Sequence, residues 1–414
     1  MKFSKQKESP ASGVRRLGKL SQLLMVSAIG VAVAIVLSGC QLVTIDYVYL
    51  AASGGANGGQ IQRFAVDSQS GALRPGPKST DSGGASPSAL AVSGDYLNLY
   101  AANKGNNSVV HFEIASDGTL TKKDSVTLSD VPVHLAVNAA GTYLFAVSGT
   151  TSATLTVYPL SKGAIGAATA QESLTVPGFA GDTIVPTGVV ATADNKEVYV
   201  TAYDQSAYNP GGTTTSTANP GWLFGFAVGQ GGAVTAVGAS PYKAGVKPTA
   251  IAADPTSRFV YVTDFASNHL IGYTILGSGS LSFMINGPFR TGSEPLALAI
   301  DPRGKYIYVA NSLDSTVSAY VIDSATGTPS GAVNTTGASS NTTDTQPVSI
   351  VVDPALGRYV YTSNLLGNSI SGFRLDPNAG SLQPAQSTPY PAGQQPTAIV
   401  SVPHGNHATQ AVFP

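Results

Sequence analysis

Four side chains in this 414-residue chain are placed to do acid–base chemistry: His134, Asp204, Lys247 and Glu294. His134 lies in VPVHLAV, two residues after Pro132. The equivalent positions after six other prolines are Ala89, Gly188, Ala250, Ala297, Ser349 and Ala398, all small. A titratable ring among small residues suits a general base near neutral pH. A ring hydrogen-bonded to backbone or to a row of waters is the other reading of His134. Glu294, Asp204 and Lys247 are the groups that could assist it, and Tyr203, Asp204, Tyr208 and Trp222 border a long stretch, YDQSAYNPGGTTTSTANPG, suited to binding a ligand. The same stretch also reads as a mobile, decorated loop.

The remaining titratable residues carry less. His111 alternates with apolar neighbours and is expected at the surface, and His269 follows a turn. His404 and His407 could share a metal ion only on a helix, which Gly405 and Asn406 disfavour, so residues 403–414 are expected to be a tail and no metal site is expected. Asp254, Asp301 and Asp353 are explained by turn geometry. No Gly-rich phosphate loop and no Ser/His/Asp signature is present, and no cofactor is expected.

The elements that must position these residues are copies of one unit, clearest at residues 294–327, EPLALAIDPRGKYIYVANSLDSTVSAYVIDSATG. An apolar run entered by Pro295 is followed by an Asp-Pro-Arg-Gly turn, and then by Tyr306 to Ala310, apolar on both alternating faces. That pattern marks a strand covered front and back. A third strand with one wetter face follows, and an Asp323/Gly327 hairpin leads to a weaker fourth.

Leading prolines recur at 87, 132, 186, 248, 295, 347 and 396, spaced by 45, 54, 62, 47, 52 and 49 residues. Second-strand motifs also number seven: YVYLAA, LYAAN, LFAVS, VYVTA, VYVTD, IYVAN and VYTSN. Four short strands at a period near 50 predict an all-β, seven-bladed β-propeller with four-stranded antiparallel blades. The first copy lacks its inner strand, and QPTAIVS around Pro396 is an inner strand without a blade. The C-terminal strand is therefore expected to join the first blade and close the ring over residues 47–402. In this arrangement the long Tyr203 loop, which makes the 62-residue spacing, shares a rim with the inner-strand starts. A second loop, residues 335–345, reads as plain linker.

Residues 1–39 read as a lipoprotein signal peptide: a basic flank, an apolar core and a Leu-Ser-Gly-Cys ending. Cys40, the only cysteine, resembles the lipidated residue of the bacterial lipobox, with residues 40–46 as a lipidated linker. The chain is expected to be exported and lipid-anchored in the bacterial cell envelope, at the outer membrane or periplasmic face. The leader holds six of the 22 Lys/Arg and one of the 23 Asp/Glu, leaving a net charge near −6 and no basic cluster. Nucleic acid is excluded on that ground, since binding it rests on neutralising phosphates. A monomer is expected.

The VYVTD, IYVAN and VYTSN strands, each preceded by an Asp-Pro turn (DPRGKY before IYVAN), resemble the YVTN-repeat propellers and the wider lactonase-like seven-bladed family. That family includes 6-phosphogluconolactonase-like and carboxymuconate-cyclase-like proteins. The resemblance spans nearly all of residues 47–402. It implies lactone chemistry by a His with Arg and Glu partners at the channel mouth. His134 is similar to the family's His. Where such an Arg–His pair would open an inner strand, this chain has Val185-Pro186-Thr187-Gly188 and Lys247-Pro248-Thr249-Ala250. Where a Glu would follow a second strand, it has Tyr203-Asp204-Gln205 and Asp264-Phe265-Ala266. Two functions remain. One is a non-catalytic scaffold binding a small molecule, glycan or protein at its mouth. The other is a hydrolase of a sugar-type lactone using His134.

Overall fold

The structure, a computed structural model, describes Met1, residues 43–54, 58–178, 183–208, 220–332, 341–410 and Val412. Residues 2–42, with Cys40 among them, most of the long loop (209–219) and most of the Ser/Thr/Asn-rich loop lie outside the described residues.

Seven antiparallel sheets follow the seven repeats. In blade 2 the strands run in simple sequence order, Pro87–Val92, Asn98–Asn103, Ser108–Ile114 and Leu120–Thr127. In the other blades the outermost strand is broken into two short pieces that both pair with the third strand, as Leu281–Phe283 and Phe289–Arg290 do on His269–Ile275. Blade 1 is built from both halves of the sequence: Pro396–Pro403 pairs with Thr44–Ala52, aligning Ile399 with Leu50 and Val400 with Tyr49. The seam at the ring's closure is thus backbone-paired along its length, and no sheet edge is left open there.

Second strands are buried on both faces because each face meets a different neighbour. Tyr306–Asn311 is buried at every position. In Thr44–Ala52, Val48 and Leu50 pack against blade 7, and Tyr49 and Ala51 against blade 2. The described apolar core divides into seven clusters, each shared by two consecutive blades, and the seventh returns from blade 7 to blade 1.

A repeated tyrosine bolts the blades together. The central Tyr of the second strand donates its hydroxyl to a glycine carbonyl in the next blade: Tyr49 to Gly118, Tyr100 to Gly163, Tyr199 to Gly279, Tyr261 to Gly327, Tyr308 to Gly380 and Tyr361 to Gly71, at 2.6–2.8 Å. Burial raises the pKa of all six hydroxyls, so they stay neutral donors. Blade 3 has Phe145 at this position and cannot make the bond. Gly380 shows why the acceptor is glycine: its φ is +70°, and a Cβ there would be driven into the Tyr306 ring.

Nearer the axis, Ser88, Thr249 and Thr397 donate hydroxyls to the carbonyls of Pro132, Pro295 and Pro87, the leading prolines of the next blade, at 2.7–3.1 Å. The last of these ties the C-terminal strand, in blade 1, to blade 2.

Candidate functional site

The mouth of the ring is the end where inner strands begin, so the residue before each leading proline borders it. Lys247 and Glu294 hold that position in blades 5 and 6. In blade 4 the first hairpin is longer, running Ile184–Ala191 against Glu197–Asp204, with Val185 opposite Tyr203. Pro186 aligns with Ala202 there, whereas Pro248 of blade 5 aligns with Asp264. The two-residue extension carries Tyr203 to the same level as Lys247.

The side chains of three successive blades converge at this level. The Lys247 ammonium lies 4.7 Å from the ring centre of Phe265, 4.8 Å from that of Tyr208 and 5.5 Å from that of Tyr203. Tyr203 and Tyr208 meet edge to face at 5.6 Å. A cation held against aromatic faces is attracted by their quadrupoles. Partial burial lowers the Lys247 pKa, and the nearby Glu294 carboxylate opposes that shift. Glu294 has φ +54°, and its amide is fixed by the Asn268 side-chain carbonyl at 2.8 Å. Tyr208 has a raised pKa, first from burial and then from Tyr203 and Glu294.

The carboxylates beside the cage serve the backbone. Asp264 is buried and accepts the amides of Val246 and Lys247, both at 2.9 Å, which shapes the turn that delivers Lys247. Asp204 is also buried and accepts the Ser206 amide at 2.8 Å, while its carbonyl accepts the Tyr208 amide at 3.1 Å. It supports the turn holding Tyr208.

His134 stands apart from these groups. It pairs with Val147 on one side, and its ring faces the backbone of Val189 in blade 4. Burial lowers its pKa to about 4, and no charged group contributes to that shift. Nδ1 is buried without a partner. Among the described residues no hydrogen bond or ion pair joins His134 to Asp204, Lys247 or Glu294. The neighbour of the His134 ring is instead the backbone of Val189, on the adjacent blade.

Trp222 pairs with Ala202, one level below Tyr203, on the third strand of blade 4. It is buried in the core between blades 3 and 4, with the Lys243 ammonium 3.6 Å from its ring. His111 overturns the surface expectation: it is 3 % exposed, stacks on Tyr100, and its ring nitrogens lie 2.9 Å from Asp124 and Asn98 oxygens. His407 is also buried rather than loose. A short 3-10 helix, Gly405–Thr409, carries it against Asp353 and Asp46. Residues 404–409, expected as part of a tail, are thus packed against the ring, and Asp46, Asp353 and His407 lie close together. Phe265 of the cage also escaped the sequence reading; its signal was the position just after a second strand, level with Tyr203.

The sequence profile described as "Lactonase, 7-bladed beta-propeller" matches residues 47–201 and 229–409. No curated protein matches. Among solved structures, the chain is similar to a putative 6-phosphogluconolactonase from Bacteroides uniformis, with TM-score 0.69 and 19 % identity over 87 % of this chain and 99 % of that one. The Pseudomonas aeruginosa periplasmic gluconolactonase aligns with TM-score 0.69 and 18 % identity, over the same shares. A putative 6-phosphogluconolactonase from Bacteroides fragilis aligns with TM-score 0.69 and 20 % identity, over 87 % and 98 %.

Proposed function

The chain belongs to the seven-bladed β-propeller lactonase family, and from that premise we propose that it is a lactonase-like scaffold that binds a small hydroxylated anion, of the sugar-acid class, at its mouth. The observation that carries this reading is the Lys247 ammonium set against Tyr203, Tyr208 and Phe265 with Glu294 beside it. Aromatic faces suit the C–H faces of a sugar ring, the ammonium suits a carboxylate or phosphate, and Glu294 accepts hydroxyl hydrogens. The scaffold is non-catalytic in this reading, which rests on there being no hydrogen bond or ion pair, among the described residues, between His134 and Lys247, Glu294 or Asp204. Titration of the purified full chain with D-gluconate and 6-phosphogluconate tests it: binding that Lys247→Met weakens supports the reading, and no binding, or binding indifferent to Lys247, rejects it.

A second reading, hydrolysis of a sugar-type lactone, is favoured by one observation. His134 is held neutral at pH 7 by its low pKa and keeps an unpartnered Nδ1 lone pair, as a general base requires. The Pseudomonas aeruginosa neighbour is a gluconolactonase, which fits the same ligand class. Turnover of glucono-δ-lactone that His134→Gln abolishes would select this reading over the first.

The proposed address is the bacterial envelope, with lipid on Cys40 as the anchor and the propeller acting as a monomer. Cys40→Ser should release the protein from membranes in cell fractionation; unchanged membrane association would reject the anchor.

A further inference from the structure

On the face opposite the mouth, three elements from distant parts of the chain bring Asp46, Asp353 and His407 together. Asp46 lies in the strand Thr44–Ala52 of blade 1, on the same face as Val48 and Leu50, which packs on blade 7. Asp353 lies in the turn after the inner strand Pro347–Val352 of blade 7. His407 lies in the turn after the last strand, where the His404 amide is tied to the Ile45 carbonyl at 2.6 Å. One ligand atom from each falls within 4.8 Å of the others, and all three residues are buried.

With both carboxyls ionised, the hydrogen bonding of this trio does not balance. Asp46 is 0 % exposed, and both of its oxygens lack a hydrogen-bond partner. His407 Nε2 faces three carboxylate oxygens at once: Asp353 at 3.2 and 3.3 Å and Asp46 at 3.4 Å. One N–H cannot serve three acceptors, and none stands at the roughly 2.7–2.9 Å of a charge-assisted bond. The other ring nitrogen, Nδ1, faces the Gln410 side-chain oxygen at 3.4 Å. An Nδ1–H donated to Gln410 leaves the Nε2 lone pair pointing at two carboxylates. Even a protonated imidazole would leave one negative charge over, and among the described residues no Lys or Arg pairs with either carboxylate. Arg358 acts on Asp46 only from a distance.

We propose that Asp46, Asp353 and His407 bind one divalent first-row cation of the zinc type, which fastens the C-terminal turn to the ring closure between blades 7 and 1. Two carboxylates and a neutral imidazole cancel the charge of such an ion. Ligands about 2.0–2.2 Å from a tetrahedral ion stand roughly 3.3–3.5 Å apart, the separation that Nε2 keeps from Asp353 and Asp46. The supporting contacts are also those of a metal site. Asp353 is oriented by the amides of Ala355, at 2.9 Å, and Arg358, at 3.0 Å, and His407 by Gln410. The ion would join three segments otherwise held by strand pairing and apolar contact, so its role is structural.

The test uses the purified full chain, stripped with chelator and equilibrated with Zn²⁺, with Mn²⁺ and Mg²⁺ as comparators. Metal content by mass spectrometry should reach about one equivalent of Zn²⁺, and Zn²⁺ should raise Tm by ~5 °C or more. His407→Gln and Asp46→Asn should each weaken binding about 100-fold or more and abolish the Tm response. His404→Gln, one turn away, should keep both, and near-UV circular dichroism checks that every variant is folded. A Co²⁺-loaded sample gives a second readout, a d–d spectrum of tetrahedral intensity that His407→Gln removes. Binding well below one equivalent overturns the proposal. So does equal binding by folded His407→Gln, or a Tm indifferent to Zn²⁺ and raised by Asp46→Asn, which would assign a proton to Asp46 in place of an ion.

Discussion

Tyr361 donates its hydroxyl hydrogen to the Gly71 carbonyl at 2.8 Å, across 290 positions of sequence. The bond spans the ring closure and is the same bond that five other tyrosines make between consecutive blades. Tyr361→Phe removes the donor and leaves a buried carbonyl unpaired, so it should lower stability by about 1–3 kcal/mol in urea unfolding. Tyr308→Phe should cost a similar amount, and a change in neither would show that the hydroxyls are incidental to packing.

The acceptor glycines are set by space as well as by φ. Gly380→Ala puts a Cβ into the Tyr306 ring at φ +70° and should cost roughly 2–4 kcal/mol. Gly405→Ala, at φ +58° with nothing within 4 Å, should cost only about 1 kcal/mol. Equal losses in thermal unfolding would contradict the close-approach account.

His134 gives stability a pH dependence with a definite sign. Its folded pKa, about 4, lies below the ordinary 6.5, so between those values the unfolded chain binds the extra proton. Stability from this group is complete above pH 6.5 and falls as the pH drops towards 4, by at most about 3 kcal/mol. Urea midpoints from pH 7 to 4.5 should fall more steeply for the native chain than for His134→Gln. Parallel profiles would mean that His134 takes up its proton in the fold as readily as in water.

Much of the architecture was legible because propeller packing writes itself into short-range pattern. Leading prolines and doubly buried second strands such as Tyr306–Asn311 recur at a fixed period, and the unmatched strand around Pro396 gave the closure. What the pattern hides is pairing between blades. Nothing local tells that Tyr361 is a donor as well as a core residue, or that Phe145 is not. His111 looked exposed because its partners, Asn98 and Asp124, sit on neighbouring strands and Tyr100 supplies the stacking face. Asp353 holds the same kind of turn as Asp254 and Asp301, and only the fold brings Asp46 and His407 to it. Lys247, Glu294 and Tyr203 stand next to strand ends, a position the sequence pattern shows. That the His134 ring meets the Val189 backbone depends on a neighbouring blade, which no spacing encodes.

The cage should depend on its aromatic walls as well as its charge. Tyr208→Ala removes one face beside the Lys247 ammonium and should weaken sugar-acid binding about 5- to 30-fold, while Trp222→Phe, in the core, should leave affinity within about twofold. The reverse order in calorimetric titration would place the ligand elsewhere.

The most direct measurement is a calorimetric titration of the full chain with D-gluconate, repeated on Lys247→Met and His134→Gln. Binding lost by tenfold or more in Lys247→Met and unchanged in His134→Gln is the expected result, on the order of 1.4 kcal/mol carried by the ammonium. Binding that survives Lys247→Met but vanishes in His134→Gln would contradict the account and move the site to the seam between blades 3 and 4.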